Sequence, residues 1–378
     1  MSSPRRILIL YITNKSGHHH AALALQEAII KLDSSIEVNC VDAFNYTNPV
    51  LNKITHTTYL QIIRRRPEVW EYLYDNPDVV RRSQNLKKMI HKYSSRKLIN
   101  LFTEFNPDIV VCTQAFPCGM VADLKKHGKI DIPIAGVTTD YVTHSFWYYD
   151  SVDSYIVSDE STKARMVKNG IKKERVKIYG IPISPRFVGL VDRDSVFKEL
   201  GLEPDLPVVV VMGGGRGLGK IKQVVYSLSK VEKRFQIVAI CGVNKKLHRY
   251  FKAKSKRLNK IKPFKVFDYV ENMDRVMSIA DILISKPGGI TTAEALAKGL
   301  PMIIFNPIPG QEISNTEFLL KSGAAIRCDR IADIGILVEE LLQSDNKLSI
   351  MSDSAKSAGF PDSSLKISKE ILNLIGYA

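Results

Sequence analysis

The sequence predicts an α/β protein built as two successive doubly wound, parallel-sheet domains. Three observations carry this: short apolar runs bounded by polar loops, segments of helical period between them, and a second round of the same alternation in the second half. At 378 residues the chain also exceeds what one hydrophobic core usually serves.

Residues 6–12, RILILYI, read as the first strand. Charges precede them as in a secretory leader, but the apolar run is too short and no small-residue cleavage site follows. The polar loop TNKSGHHH comes next, then AALALQEAIIKL with apolar residues at helical spacing. IEVNCVDA, PDIVVCTQ, IPIAGVTTD and SYIVSDE are further buried strands with helical segments between them. Residues 50–105 interrupt the alternation with a long helical region in which basic residues outnumber acidic ones, enclosing Trp70, Tyr72, Leu73 and Tyr74. Two readings fit it: an ordinary solvated helix pair with inward aromatics, or a membrane-facing surface.

GIPISPRFVGLVDRDSV disfavours a continuing helix or central strand and places a linker near Pro185 to Asp192. Beyond it PVVVVMGGG, FQIVAICG, KVFDYV, ADILISK and LPMIIFNP read as strands, with helices such as TAEALAKG between them. No stretch approaches the roughly 18 uninterrupted apolar residues of a spanning helix, so membrane contact is expected to be peripheral. A formal charge of +15 draws the protein to polyanions without choosing among nucleotides, nucleic acid and an anionic leaflet. There is no recognised nucleic-acid motif, so no specific nucleic-acid partner is expected. Five scattered cysteines lack metal-ligand spacing, which points to a reducing compartment without disulfides or zinc.

Ligands of open parallel sheets sit beyond the carboxyl ends of strands, which singles out four loops. In Asn14–His20, Gly17 would allow a tight turn and an imidazole such as His18 could accept a proton near neutral pH. Three adjacent histidines also suit a metal tract, but adjacent residues diverge at a helix start and no carboxylate lies nearby in sequence; no metal site is expected. In VTTDYVTHSFWYYD, Asp140 and His144 stand beside Phe146 and Trp147, a composition for an amphipathic acceptor whose hydroxyl loses a proton, although an Asp after a strand also serves as a helix cap. The loop MGGGRGLGK holds Gly213, Gly214, Gly215 and Gly217, which would let backbone amides approach a diphosphate; it fits neither GxGxxG nor GxxxxGK[ST]. In SKPGGITTAEALAKGLPMIIFNPIPGQEISN, Gly288 and Gly289 permit another close approach. Glu294, expected on the first helical turn, could grip a ribose diol or merely complement the helix dipole, and Gln311, Glu312 and Asn315 carry groups that bind sugar hydroxyls.

With these pieces in order, the sequence resembles glycosyltransferase family 28, in particular the group holding plant monogalactosyldiacylglycerol synthase and bacterial processive diacylglycerol glucosyltransferase, along nearly the whole chain. KPGGITTAEALAKGLP followed by PIPGQEISN is the most specific element, MGGGRGLG resembles the glycine loop of the galactolipid synthases, Gly17 and His18 match a GGH-like or NGH-like loop, and Thr139 and Asp140 match a TD pair. The C-terminal half is more distantly similar to the peptidoglycan lipid-intermediate N-acetylglucosaminyltransferase.

The resemblance implies a GT-B fold, two Rossmann-like domains facing a central cleft, with an acceptor domain at 1–186, a donor domain at 192–355 and a last helix within 356–378 that crosses back to the first domain. It implies a UDP-hexose as donor substrate and no cofactor. The uracil would meet Tyr269 and Val270, and the ribose Glu294. Gln311, Glu312 and Asn315 would meet the hexose, with the glycine loop, Gly288, Gly289 and Thr291 completing the donor set. Gly17, His144, Phe146 and Trp147 would meet diacylglycerol or a related lipid, with the basic region 60–98 docking on an anionic membrane surface. The expected reaction inverts the anomeric carbon, with His18 favoured over Asp140 as base because an unperturbed imidazole suits neutral pH. The expected place is cytoplasmic, at the inner face of the cell membrane. Other readings are a different lipid acceptor, a catalytically weak nucleotide-sugar sensor, or a soluble epimerase of nucleotide sugars.

Overall fold

The structure, a computed structural model, describes residues 4–49 and 97–377. The reading of Trp70, Tyr72, Leu73 and Tyr74 as a docking face, and nearly all of region 60–98, lies outside the described residues. The chain divides into two units: Met1–Pro185 with Pro309–Gln311 and Asp362–Ala378, and Arg186–Ile308 with Glu312–Pro361.

The N-terminal unit runs β1 (Arg6–Tyr11), α1 (Gly17–Leu32), β2 (Glu37–Asp42), α2 (Ala43–Thr47), the helical residues 97–105, β3 (Ile109–Cys112), α3 (Ala115–Lys126), β4 (Ile134–Val137), β5 (Ser154–Val157), α4 (Glu160–Lys168) and β6 (Val176–Ile178). All strands pair in parallel, in the order β2-β1-β3-β4-β5-β6. Branched residues fill the central strands because both faces are covered. One face packs Leu8, Leu10 and Val110 against α3; the other packs Ile7, Ile9 and Ile109 against Leu25 and Ile29 of α1.

The C-terminal unit runs α5 (Arg193–Leu200), β7 (Val208–Met212), α6 (Ile221–Leu228), β8 (Gln236–Ile240), α7 (Lys245–Asn259), β9 (Phe264–Phe267), α8 (Met273–Ile279), β10 (Ile282–Ser285), α9 (Gly289–Ala297), β11 (Met302–Phe305), α10 (Gln311–Lys321), β12 (Ala325–Cys328), α11 (Ile334–Gln343) and α12 (Asp345–Ala358). Gln311, the first residue of α10, groups with the N-terminal unit. The sheet order is β12-β11-β10-β7-β8-β9, again parallel throughout. The predicted α/β class with two doubly wound sheets is therefore the observed one. The final helix α13 (Ser363–Leu374) belongs to the N-terminal unit, where Ile367, Ile371 and Leu372 enter the core beside α1. Burying each of these isoleucines contributes about 1.5–3 kcal/mol.

The sequence pattern missed β6 and β12, the outer strand of each sheet on one side. They are only VKI and AIRC, each with a charged residue inside, a composition that suits an edge and hides it from a hydrophobic scan.

Candidate active site

In the N-terminal sheet the strand order reverses between β1 and β3, which brings the loops that follow them together. His18, the second residue of α1, places its Nδ1 3.0 Å from the Thr113 carbonyl and 2.9 Å from the Thr139 hydroxyl. A carbonyl only accepts, so the proton sits on Nδ1 and Nε2 keeps its lone pair. The Thr113 hydroxyl donates back to the His18 carbonyl at 2.9 Å, closing a two-way clasp. Burial lowers the His18 pKa to about 4, with the bond to Thr113 opposing it. The expected near-neutral value is thus corrected: at physiological pH the ring is wholly in its base form, and its conjugate acid is stronger than a free imidazolium.

Gly17 does not make the preceding turn, being the first helical residue. Thr13 and Lys15 take left-handed conformations instead, with φ of 67° and 59°. Asp42 accepts the Thr13 N–H at 3.1 Å, and His19 Nδ1 accepts the Lys15 N–H at 3.1 Å, so His19 holds the loop that presents His18. Asp140 follows Thr139 at this end of the sheet, and its carbonyl accepts from Ser158 Oγ at 3.1 Å. It caps no helix, since the next helical turn, Ser145–Trp147, starts from His144.

The aromatic loop turns inward. Tyr155 of β5 donates its hydroxyl to the Trp147 carbonyl at 2.5 Å, and the indole, 4% exposed, joins the core. Trp147 therefore packs the unit rather than lining a surface for an acceptor. Phe146 leans on the same core, with the His144 ring edge-on at 5.7 Å.

In the C-terminal sheet the order reverses between β7 and β10. The glycine loop after β7 closes on itself through Leu218 N–H to the Gly213 carbonyl (3.0 Å), and on the loop after β8 through Val243 N–H to the Gly215 carbonyl (2.9 Å). A Cβ on Gly213 would lie 1.9 Å from the Leu218 oxygen, and one on Gly217, at φ +57°, 2.0 Å from the Cys241 oxygen. Those two glycines answer to packing. Gly214, at φ +65°, faces open space.

After β10, Lys286, Pro287 and Gly288 form a tight turn, with the Gly288 N–H donating to the Lys286 carbonyl at 3.0 Å. Two residues of α10 brace it. Glu312 pairs with buried Lys286 at 2.8 Å and accepts the Ile308 N–H at 2.6 Å, while fully buried Asn315 donates to the Pro287 carbonyl at 2.9 Å. Glu312 and Asn315, expected to bind sugar hydroxyls, thus make these bonds to the protein and position the loop. Of the three residues, Gln311 alone is partly exposed, and its buried Oε1 has no protein hydrogen bond. At the start of α9, Gly288 caps without a side chain, no acidic residue occupies the first turn, and the space where a Cβ would stand is open. Its N–H groups therefore form a ready site for an anion. Gly289 and Thr291 lie buried in that first turn.

Glu294 lies on the second turn of α9, not the first, which takes it beyond the helix-dipole role. Burial raises its pKa to about 8, Asp274 adding to the rise and Arg186 opposing it. Burial raises the pKa of Tyr269, which follows β9, and the charges of Glu271 and Glu294 add to the rise; its neighbour Val270 is partly exposed.

Residues 18–183 match the monogalactosyldiacylglycerol (MGDG) synthase family and residues 208–367 the glycosyltransferase family 28 C-terminal domain. The processive diacylglycerol beta-glucosyltransferase of Bacillus pumilus is 32% identical over 375 residues, covering 98% of this chain and 96% of that protein. The chain belongs to this family. The Bacillus subtilis member is 31% identical over 374 residues with the same coverage. Acinetobacter baumannii MurG shares the fold at a TM-score of 0.62 and 15% identity, over 98% of this chain and all of MurG. Staphylococcus aureus MnaA, solved with UDP, does so at 0.63 and 12%, over 99% and 98%. The two units are thus the two Rossmann-like domains of a GT-B fold.

For this family member, sequence reasoning missed Thr113, Lys286 and Arg186. Thr113 sits directly after β3, where the strand-end rule would have found it, and Lys286 lies inside the loop after β10 that the same rule singled out. Arg186 lay hidden inside the linker.

Glu294 carries a pH signature. With its folded pKa raised to about 8 from 4.5, its contribution to stability is fully present below 4.5 and is lost as pH rises through 8. Glu294→Gln, which mimics the protonated acid, should match the parent's melting temperature at pH 4 and exceed it by at least about 2 °C at pH 9. Thermal scans at both values check this, and an offset independent of pH would remove the assigned protonation state.

Proposed function

We propose that the protein transfers a hexose from a uridine diphosphate sugar to diacylglycerol with inversion, making monoglycosyldiacylglycerol and, by repetition, longer glycolipids. The observation that carries the reading is the His18 ring, neutral and held by Thr113 and Thr139 with its Nε2 lone pair available.

The acceptor oxygen attacks the anomeric carbon as its proton passes to Nε2, and the bond to the diphosphate breaks with its electron pair leaving on the nucleotide. Asp140 orients the acceptor or supports the imidazolium that forms. An uncapped α9 N-terminus and the open backbone at Gly214 meet the diphosphate, so charge develops against fixed N–H groups and no metal ion is used. Glu294 holds the ribose, Tyr269 and Val270 the uracil, and Gln311 the hexose. Gly17, His144 and Phe146 take the acceptor side. No helix among the described residues is long and apolar enough to cross a membrane. The protein meets its lipid peripherally, at the cytoplasmic face of the cell membrane.

The test is incubation of purified protein with diacylglycerol liposomes and separately labelled UDP-glucose or UDP-galactose, with lipid products resolved by mass. Transfer of one or more hexoses is expected and identifies the donor. Tight UDP binding with no transfer would overturn the diacylglycerol reading in favour of another acceptor or a sensor.

A further inference from the structure

Helix α7 carries a concentration of charge that the chemistry above does not use. Eight lysines and arginines are exposed between residues 245 and 260, and no acidic residue occurs from Val243 to Phe267. Leu247, Phe251 and Leu258 anchor one side of the helix in the core. On the opposite side Lys245, Arg249, Lys252, Lys256 and Lys260 follow at spacings of four, three, four and four, so they form one ridge roughly 22 Å long.

Like charges at these spacings repel, and the cations in the first turn also face the positive end of the helix dipole, with no acidic residue there to offset it. None of the eight pairs with a carboxylate among the described residues. The neighbouring Lys262, by contrast, turns inward to the Lys233 carbonyl and the Phe235 ring. Folding alone thus gives no reason for the ridge.

We infer that α7 is a docking face for an anionic lipid bilayer, on the C-terminal unit and additional to any contact made by region 60–98. A row of exposed cations complements a negatively charged leaflet, and Ile261 just past the helix, 56% exposed, supplies an apolar residue to the headgroup boundary. Nucleic acid fits less well. The Tyr250 ring is covered by Lys222 Nζ at 3.6 Å, so it offers no open stacking platform. The inference rests on the proposed lipid acceptor for its purpose, and its test is separable from that reading.

The full chain is floated at about 0.1 M salt with phosphatidylcholine vesicles, with and without phosphatidylglycerol. It is compared with Arg249→Gln/Lys252→Gln/Lys256→Gln/Lys260→Gln, and with a control of equal charge change, Lys126→Gln/Lys129→Gln/Lys168→Gln/Lys172→Gln, whose residues are also exposed. Each basic residue near such a surface is worth about fivefold in partition, so the α7 variant should lose at least about tenfold on anionic vesicles while the control changes little. Transfer to detergent-dispersed diacylglycerol should be unchanged in both. Equal partition of parent and α7 variant, an equal loss in the control, or a preference of the parent for duplex DNA over anionic vesicles at the same salt would each overturn the inference. Absence of transfer in detergent would overturn the functional reading while leaving the partition result standing.

Discussion

Exchange of His18 for alanine is expected to lower hexose transfer by about 10²–10⁴-fold while leaving UDP affinity unchanged. The ring is neutral in the folded protein, so its removal deletes no charge at neutral pH. Its polar links run to Thr113 and Thr139, both within the N-terminal unit, so the donor-binding unit keeps its own contacts. With the His18 pKa near 4, the acidic limb of kcat/KM should fall near pH 4 rather than near 6.5. Asp140→Ala is the companion variant. Near-normal turnover in both, with calorimetric UDP binding intact, would sink the assignment of the acceptor-side chemistry.

Lys286→Met should cost about 3–5 kcal/mol in urea unfolding, because it strands the Glu312 carboxylate in a buried site. Adding Glu312→Gln should restore most of that loss, since the second change removes the uncompensated charge. UDP affinity is expected to fall in the single variant as well, because the pair braces the turn that leads into α9. A single-variant cost below about 1 kcal/mol would mark the pair as solvent-screened and remove its bracing role.

Much of the architecture was legible because each central strand is a short apolar run with a polar loop after it, and the functional loops follow strands. Strand order was not legible. It decides that the His18 loop meets Thr113 and that the glycine loop meets Lys286, yet it depends on which strands pair across long sequence separations. Glu294 was placed a turn too early because the sequence pattern starts the helix at Thr292, as TAEALAKG, whereas it begins three residues sooner, at Gly289. Trp147 looked available because FWYY is uniformly aromatic, and the string alone does not show that the indole joins the core while its neighbours only lean on it. The depressed His18 pKa likewise comes from burial, which no local pattern encodes. Glu312 and Asn315 were legible as polar residues near a sugar-binding motif, but their partners Lys286 and Pro287 stand 26 and 28 residues away.

The place of α13 governs when the protein can finish folding during synthesis. Its isoleucines complete a core whose other members, Ile7, Ile9 and Leu25, leave the ribosome well before it. Residues 186–361 must be translated in between, which at about 5–20 residues per second takes roughly 10–35 s. For that interval the nascent N-terminal unit presents an uncovered apolar stripe along α1, a window in which a chaperone has something to hold.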